Sequence, residues 1–246
     1  RFFWNDQPVF QEYGKMGKSL KNAVAPDEVC RQFGCDTLRL YEMSMGPLEA
    51  SKPWNTRDIA GSYRFLQRAW RCIIDEQTGK PRISDAEPPA ALARAMHRTI
   101  DGVRKDMAAL SFNTAVSKLI EFVNELTKAM TELGSCPRIC ATNLTLMLAP
   151  LAPHVAEELW SLLGNPPSVA FAGYPAADPA MLVESEIEYA VQVQGKVRAR
   201  IMAPAAADAK TVEAIAMGDA NVKAFLEGKA VKKVIVVPGK LVNVVV

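Results

Sequence analysis

Histidine is almost missing from this chain: among 246 residues there are two, His97 and His154. With so few, no Ser/His/Asp set and no metal constellation stands out. Long hydrophobic runs are missing too. The apolar stretches are short and broken by proline or charge, and none reads as a transmembrane span or a signal peptide. An excess of one charge is also lacking. The formal net charge is +2, too small to argue for a partner by itself. The cysteines are few, odd in number and scattered: Cys30, Cys35, Cys72, Cys136 and Cys140. They suggest reduced thiols of a cytosol rather than a disulfide framework. Cys136-x3-Cys140 with His154 falls short of the tighter spacing and four ligands of a structural zinc.

What is present is apolar material, 49% of the residues, enough for one large domain or two ordinary ones. Charge is unevenly spread. Residues 187–246 hold nine Lys/Arg against five Asp/Glu, a net +4, which leaves the remainder at −2. A basic C-terminal module suits a polyanion such as RNA, and an ordinary basic surface reads the same way.

The first 25 residues lack helical periodicity. Phe2, Phe3, Trp4, Val9, Phe10 and Tyr13 suggest short strands of a larger sheet, with an exposed apolar patch. From Pro26 to about Leu163 the pattern is helical. Pro26 followed by Asp27 and Glu28 is a helix start, and Gly34 a stop. Asp36 can cap the next helix, and Asn55 or Thr56 the one after. In that helix Ile59, Tyr63, Leu66, Trp70, Ile73 and Ile74 recur at three- and four-residue spacing. Residues 79–89 read as a loop. Further helices run to about Leu110, through Val116–Met130, from Pro137 and from Pro153. Consecutive amphipathic helices with short connections predict an antiparallel bundle. Tyr63, Trp70 and Trp160 are expected in its core, and Trp54 exposed.

Residues 164–186 read as a Pro/Gly-rich linker. Beyond it the period becomes two. Tyr189, Val191 and Val193 alternate with Ala190, Gln192 and Gln194, and after Gly195-Lys196 so do Val197, Ala199 and Ile201 with Arg198 and Arg200. This predicts a hairpin, then two helices and a second strand pair. The expected fold is mainly α: a helical bundle followed by a small β-β-α-α-β-β domain. The expected boundaries are 1–46, 47–163, 164–186 and 187–246.

Three blocks carry more than periodicity. Lys15-Met16-Gly17-Lys18-Ser19 stands close to the N-terminus, with Gly34-Cys35-Asp36-Thr37-Leu38-Arg39-Leu40-Tyr41 behind it. Leu148-Ala149-Pro150-Leu151-Ala152-Pro153-His154 runs into Val155-Ala156-Glu157-Glu158-Leu159-Trp160. Val191 to Arg200 and Lys233 to Asn243 form the third. Gly17-Lys18-Ser19 is not a P-loop, because that motif needs glycine at position 12, where Glu12 stands. The pentapeptide instead resembles the KMSKS loop of class I aminoacyl-tRNA synthetases, with Gly17 where the family has serine. The second block is similar to the last helices of their anticodon-binding domain. The third resembles the C-terminal domain of bacterial leucyl-tRNA synthetases, and it argues against valyl and isoleucyl enzymes, whose coiled coil or cysteine-rich ending is not seen.

That resemblance implies a parent activity: leucine and ATP, with Mg2+, form leucyl-adenylate, and the leucyl group passes to tRNA-Leu. It implies a cytoplasmic, monomeric parent without a membrane. Lys18 would stabilise charge on the departing pyrophosphate, with Lys15 in support and Met16 packing the loop. Ser19 would offer a hydroxyl or cap a turn, so residues 15–19 would form the ATP contact. Arg57, Arg64, Arg68 and Arg71 recur near helical spacing and could position tRNA through its phosphates, or form a solvated face. Lys196, Arg198 and Arg200 share one face of their strand by alternation, and Lys232, Lys233 and Lys240 could join them. The chain begins at Arg1 rather than Met. We therefore expect a piece that neither activates leucine nor edits alone. A self-standing tRNA-binding module is the alternative.

Overall fold

The computed structural model describes residues 2–10, 12, 14–183, 186–193, 195–205, 207–226 and 231–246, without the Glu186 side chain. Tyr13 and Gln194 lie outside the described residues. The protein is mainly α with small sheets, and it divides into two compact units, Arg1–Met181 and Leu182–Val246.

The first unit begins with a hairpin of β1 (Phe2–Trp4) and β2 (Gln7–Val9), paired antiparallel. Asn5 and Asp6 both take positive φ, as a tight two-residue hairpin turn requires. Phe2, Phe3, Trp4 and Phe10 are exposed, so this segment makes no core within the unit.

Helix α1 (Pro26–Phe33) has Pro26 in its first turn, with Asp27 and Glu28 near the positive end of its dipole. Gly34, at φ +88, ends it in a conformation that a side chain would strain. Helix α2 (Cys35–Ser44) follows at once. Helix α3 (Ile59–Ile73) starts later than its sequence suggests. Asn55 spends its side chain on a turn instead, accepting from the Arg57 N–H and donating to Asp58.

Helices α4 (Ala90–Ala108) and α5 (Phe112–Leu133) form a long hairpin. In α5, Val116, Leu119, Phe122, Val123, Leu126 and Met130 recur every three or four residues, and all are buried. Burying each large apolar side chain stabilises by roughly 1.5–3 kcal/mol, so this stripe anchors the unit. Short strands β3 (Ile83–Ser84) and β4 (Cys136–Pro137) pair in parallel and pin the loop after α3 to the end of α5. Helices α6 (Arg138–Leu148) and α7 (Pro153–Leu162) complete the core with Leu144, Leu148 and Leu159.

Part of the stretch expected to link the domains is held against this unit. Val169 is buried in its core, and the Tyr174 hydroxyl donates to the Ile100 carbonyl. Arg104 stacks over the Tyr174 ring and donates to the Pro175 carbonyl. The short α8 (Pro179–Leu182) falls at the division between units.

The second unit contains β5 (Glu186–Val193), β6 (Lys196–Pro204), α9 (Ala209–Gly218), α10 (Ala220–Leu226), β7 (Lys233–Val237) and β8 (Leu241–Val245). The sheet order is β6-β5-β8-β7, with β5 and β8 parallel at its centre. Tyr189, Val191, Ala199, Ile201, Val242 and Val244 face the helices, which contribute Val212, Ala216 and Val222. Asp208 starts α9, its carboxylate accepting from the Thr211 N–H at 2.8 Å.

Candidate functional site

The loop at residues 15–19 is closed by a side chain outside the pentapeptide. The Asn22 amide oxygen accepts from the Gly17 N–H at 2.8 Å, and its nitrogen donates to the Lys15 carbonyl at 3.4 Å. Lys18–Leu20 make one 3-10 turn, ended by Lys21 at φ +52. Lys15, Lys18 and Ser19 are exposed. Among the described residues, no carboxylate lies within ion-pair distance of either lysine. Two ammonium groups thus stand on a small scaffold with their charge unspent. Gly17 is extended, at φ −178, and a Cβ added there would meet nothing within 4 Å. A serine fits this backbone unstrained. Met16 is 46% exposed.

Behind the loop, α2 binds the connection between α6 and α7. Asp36 does not cap its own helix. Its carboxylate accepts from His154 Nδ1 at 2.8 Å and from the Val155 N–H at 2.7 Å, capping α7 across 119 residues. His154 therefore has a carboxylate partner from another helix. Arg39 donates to the carbonyls of Pro150 and Leu151, where α6 has ended. A carboxylate at a helix start and a guanidinium beside the carbonyls past a helix end both oppose the local dipole charge.

On α3, Arg64 is exposed. Arg68 donates to Asn124 of α5, and Arg71 pairs with Glu76 at 2.8 Å. Two aromatic expectations reverse. Tyr63 is 39% exposed, its ring edge-on to Phe33. Trp54 is partly buried against Tyr41, with ring centroids 5.3 Å apart, and donates to the Thr56 hydroxyl. Buried Trp160 donates to the Pro166 carbonyl. Cys136 and Cys140 are fully buried; burial pushes the Cys140 thiol up to about 12, and it stays neutral.

In the second unit a register shift interrupts the expected alternation. Val191 pairs with Ala199, but Gln192 pairs with Val197, so Arg198 is the extra residue of a bulge. Its guanidinium lies 4.2 Å from the centre of the Phe225 ring on α10. Arg200 lies between buried Ala199 and Ile201, turns away from the helices and bonds to Glu188. Lys196, Arg198 and Arg200 therefore do not share one face. Lys196 pairs with Val193, in the row that continues through Val244 to Val234, so Lys232 and Lys233 lie at the same end of the sheet. They occupy the opposite edge, three strand spacings or roughly 14 Å away. Lys240, in the β7–β8 turn, is at the other end of the sheet. Four strands thus divide the cations that sequence grouped together.

A family model described as the anticodon-binding domain of tRNA ligase matches residues 90–214. The leucine–tRNA ligase of Nocardia farcinica is 55% identical over 249 residues, covering 99% of this chain and 26% of that protein. The leucine–tRNA ligase of Mycolicibacterium paratuberculosis is 56% identical over 253 residues, again with 26% of its length matched. The chain spans about a quarter of the curated relatives it matches. A crystal structure of the ternary complex of Agrobacterium radiobacter K84 agnB2 LeuRS with tRNA and LeuAMS aligns with a TM-score of 0.69. That alignment covers 94% of this chain and 30% of the other, at 24% identity, and shows the fold. A family match over half of the residues means that the chain belongs to the family of the anticodon-binding domain of tRNA ligase.

Proposed function

We propose that the chain is the C-terminal, tRNA-handling part of a leucine–tRNA ligase and also supplies the loop that assists adenylate formation. The observation that carries this is the pair of exposed lysines, clear of carboxylates, on a loop held by Asn22. ATP, with Mg2+, is a substrate of the parent enzyme. When leucine attacks its α-phosphate, negative charge collects on the leaving pyrophosphate. Lys18, supported by Lys15, stabilises that charge more in the transition state than in the ground state. Ser19 offers a hydroxyl, while Met16 and Gly17 shape the loop.

The tRNA side is a helical bundle of the class I anticodon-binding type, followed by the basic β-β-α-α-β-β unit. Arg64 and Arg68 on α3, and Lys196, Arg198, Arg200, Lys232, Lys233 and Lys240 in the second unit, contact phosphates without reading sequence. The parent is a cytoplasmic monomer that acts on leucine, ATP and tRNA-Leu. The isolated chain neither activates leucine nor edits. Among the described residues no helix is long and apolar enough to cross a membrane.

The test is binding of this chain to tRNA-Leu and tRNA-Val transcripts across a salt series. Preference for tRNA-Leu with a steep salt dependence supports the reading. Binding without salt dependence refutes it, and equal binding to both would move the choice of tRNA out of these two units. In the complete enzyme, Lys18→Ala should slow leucine-dependent ATP–pyrophosphate exchange strongly and leave tRNA affinity nearly unchanged. Unchanged exchange removes Lys18 from the mechanism.

A further inference from the structure

Between α3 and α5 lies a cavity of about 400 Å³ whose rim carries three arginines, Arg68, Arg71 and Arg82. Buried Cys72 and Met130 form its floor. Among the described residues each guanidinium has one anchor, and each anchor lies in a different part of the unit. Arg68 donates to Asn124 on α5, Arg71 donates through Nε to Glu76 after α3, and Arg82 donates through Nη2 to the Gly134 carbonyl at 3.0 Å, past the end of α5. An arginine carries five N–H donors, so most of each fork is left over.

The backbone of Arg82 is also fixed. Its N–H donates to the Ile73 carbonyl at 2.8 Å, and its carbonyl accepts from the Cys136 N–H at 2.9 Å. Glu76, about half exposed, is paired with Arg71, and the Asp75 carboxylate is used by the Thr78 and Gln77 amides. An exposed pair of this kind is cheap to rearrange. Burial pushes the Cys72 thiol up, and the charges of Arg68 and Arg82 act against that rise, which places their field over the cavity floor.

We propose that this cavity is a phosphate subsite, filled by a phosphodiester of an RNA backbone. Tethered guanidinia with spare, planar donors match the oxygens of a phosphoryl group in size and geometry. The anion chemistry stands on the cavity alone; only the RNA source rests on the tRNA-binding reading above.

The experiment uses the whole chain in two arms. In the first, inorganic phosphate is titrated at constant ionic strength while arginine Nε–H signals are followed by NMR. The signals of Arg68, Arg71 and Arg82 should shift saturably, and chloride should not reproduce the shift. In the second, a tRNA-Leu transcript is bound across a salt series by the wild type, Arg68→Gln/Arg82→Gln and the exposed control Arg94→Gln. The double variant should bind about tenfold more weakly, the order of a lost charge-assisted contact, with a salt slope lower by about one. Arg71→Gln removes no backbone anchor and guards against misfolding of the double variant, as does an unchanged circular dichroism spectrum.

Phosphate shifts with an unaltered tRNA slope would support an anion site fed by free phosphate and overturn the RNA source. Phosphate shifts in a chain that binds no tRNA would uphold the cavity and refute the tRNA reading. No phosphate shift would overturn the proposal.

Discussion

Replacing Asp36 with alanine should destabilise the first unit by about 2 kcal/mol. The side chain is 6% exposed and accepts two hydrogen bonds, one of them from the third residue of α7. Loss of an N-terminal cap costs ~1 kcal/mol. Loss of a carboxylate from the positive end of the dipole costs a further ~0.3–1 kcal/mol. Removing a nearly buried acceptor also leaves the Val155 N–H short of a partner. The His154 bond adds little, because that side chain is 76% exposed and solvent screens it. All four tryptophans, Trp4, Trp54, Trp70 and Trp160, belong to the first unit, so their fluorescence follows that unit alone. With an m value of ~2 kcal/mol per M in urea, the midpoint should fall by about 1 M. Asp36→Asn keeps an acceptor and should lose less. A midpoint for Asp36→Ala within about 0.2 M of the wild type would refute the claim that α2 holds α7 through this carboxylate.

In the second unit, the Tyr189 hydroxyl accepts from the Gly239 N–H at 3.1 Å and ties the β7–β8 turn to the sheet. Tyr189→Phe should cost about 1 kcal/mol, seen as faster amide exchange at Gly239; unchanged exchange would count against the tie. Hydrogen bonds from the Thr211 side chain and N–H hold the Asp208 carboxyl below its ordinary value of 3.8. Its stabilising contribution is therefore complete above that value and lost as pH falls through the lowered one, and Asp208→Ala should flatten the acid limb of Thr211 amide protection. Native alkylation near pH 8, read by mass spectrometry, should label exposed Cys35 and spare Cys136 and Cys140, both buried, with thiols pushed up mainly by burial.

Much of the helical architecture was legible because it is local. The α5 stripe repeats at helical spacing, and the Pro26 start and Gly34 stop need only neighbouring residues. The charge on the 15–19 loop was legible for the same reason. The closure by Asn22 was signalled faintly by an asparagine beside a turn, whose bonding depends on the folded path of the loop. Arg82 was hidden inside a Pro- and Gly-containing loop, and its place on the cavity rim depends on Gly134, 52 residues away. The grouping of Lys196, Arg198 and Arg200 failed because alternation presumes an unbroken ladder, and one extra residue in β6 sends Arg198 toward Phe225.

The order of residues along the chain carries the periods, the helix starts and stops, the two lysines of the loop and the motif resemblance. Tertiary structure decided which of those features meet. The block around Asp36 and the block around His154 are each readable alone, yet only folding brings the carboxylate to the α7 start and Arg39 to the carbonyls past the α6 end. A cap within one helix is written in consecutive residues. A cap supplied from another helix has no local signature, because its geometry is set by packing of the core between them. The same holds for the division of the basic residues across the sheet, where strand order, not spacing along the chain, sets the distance between charges.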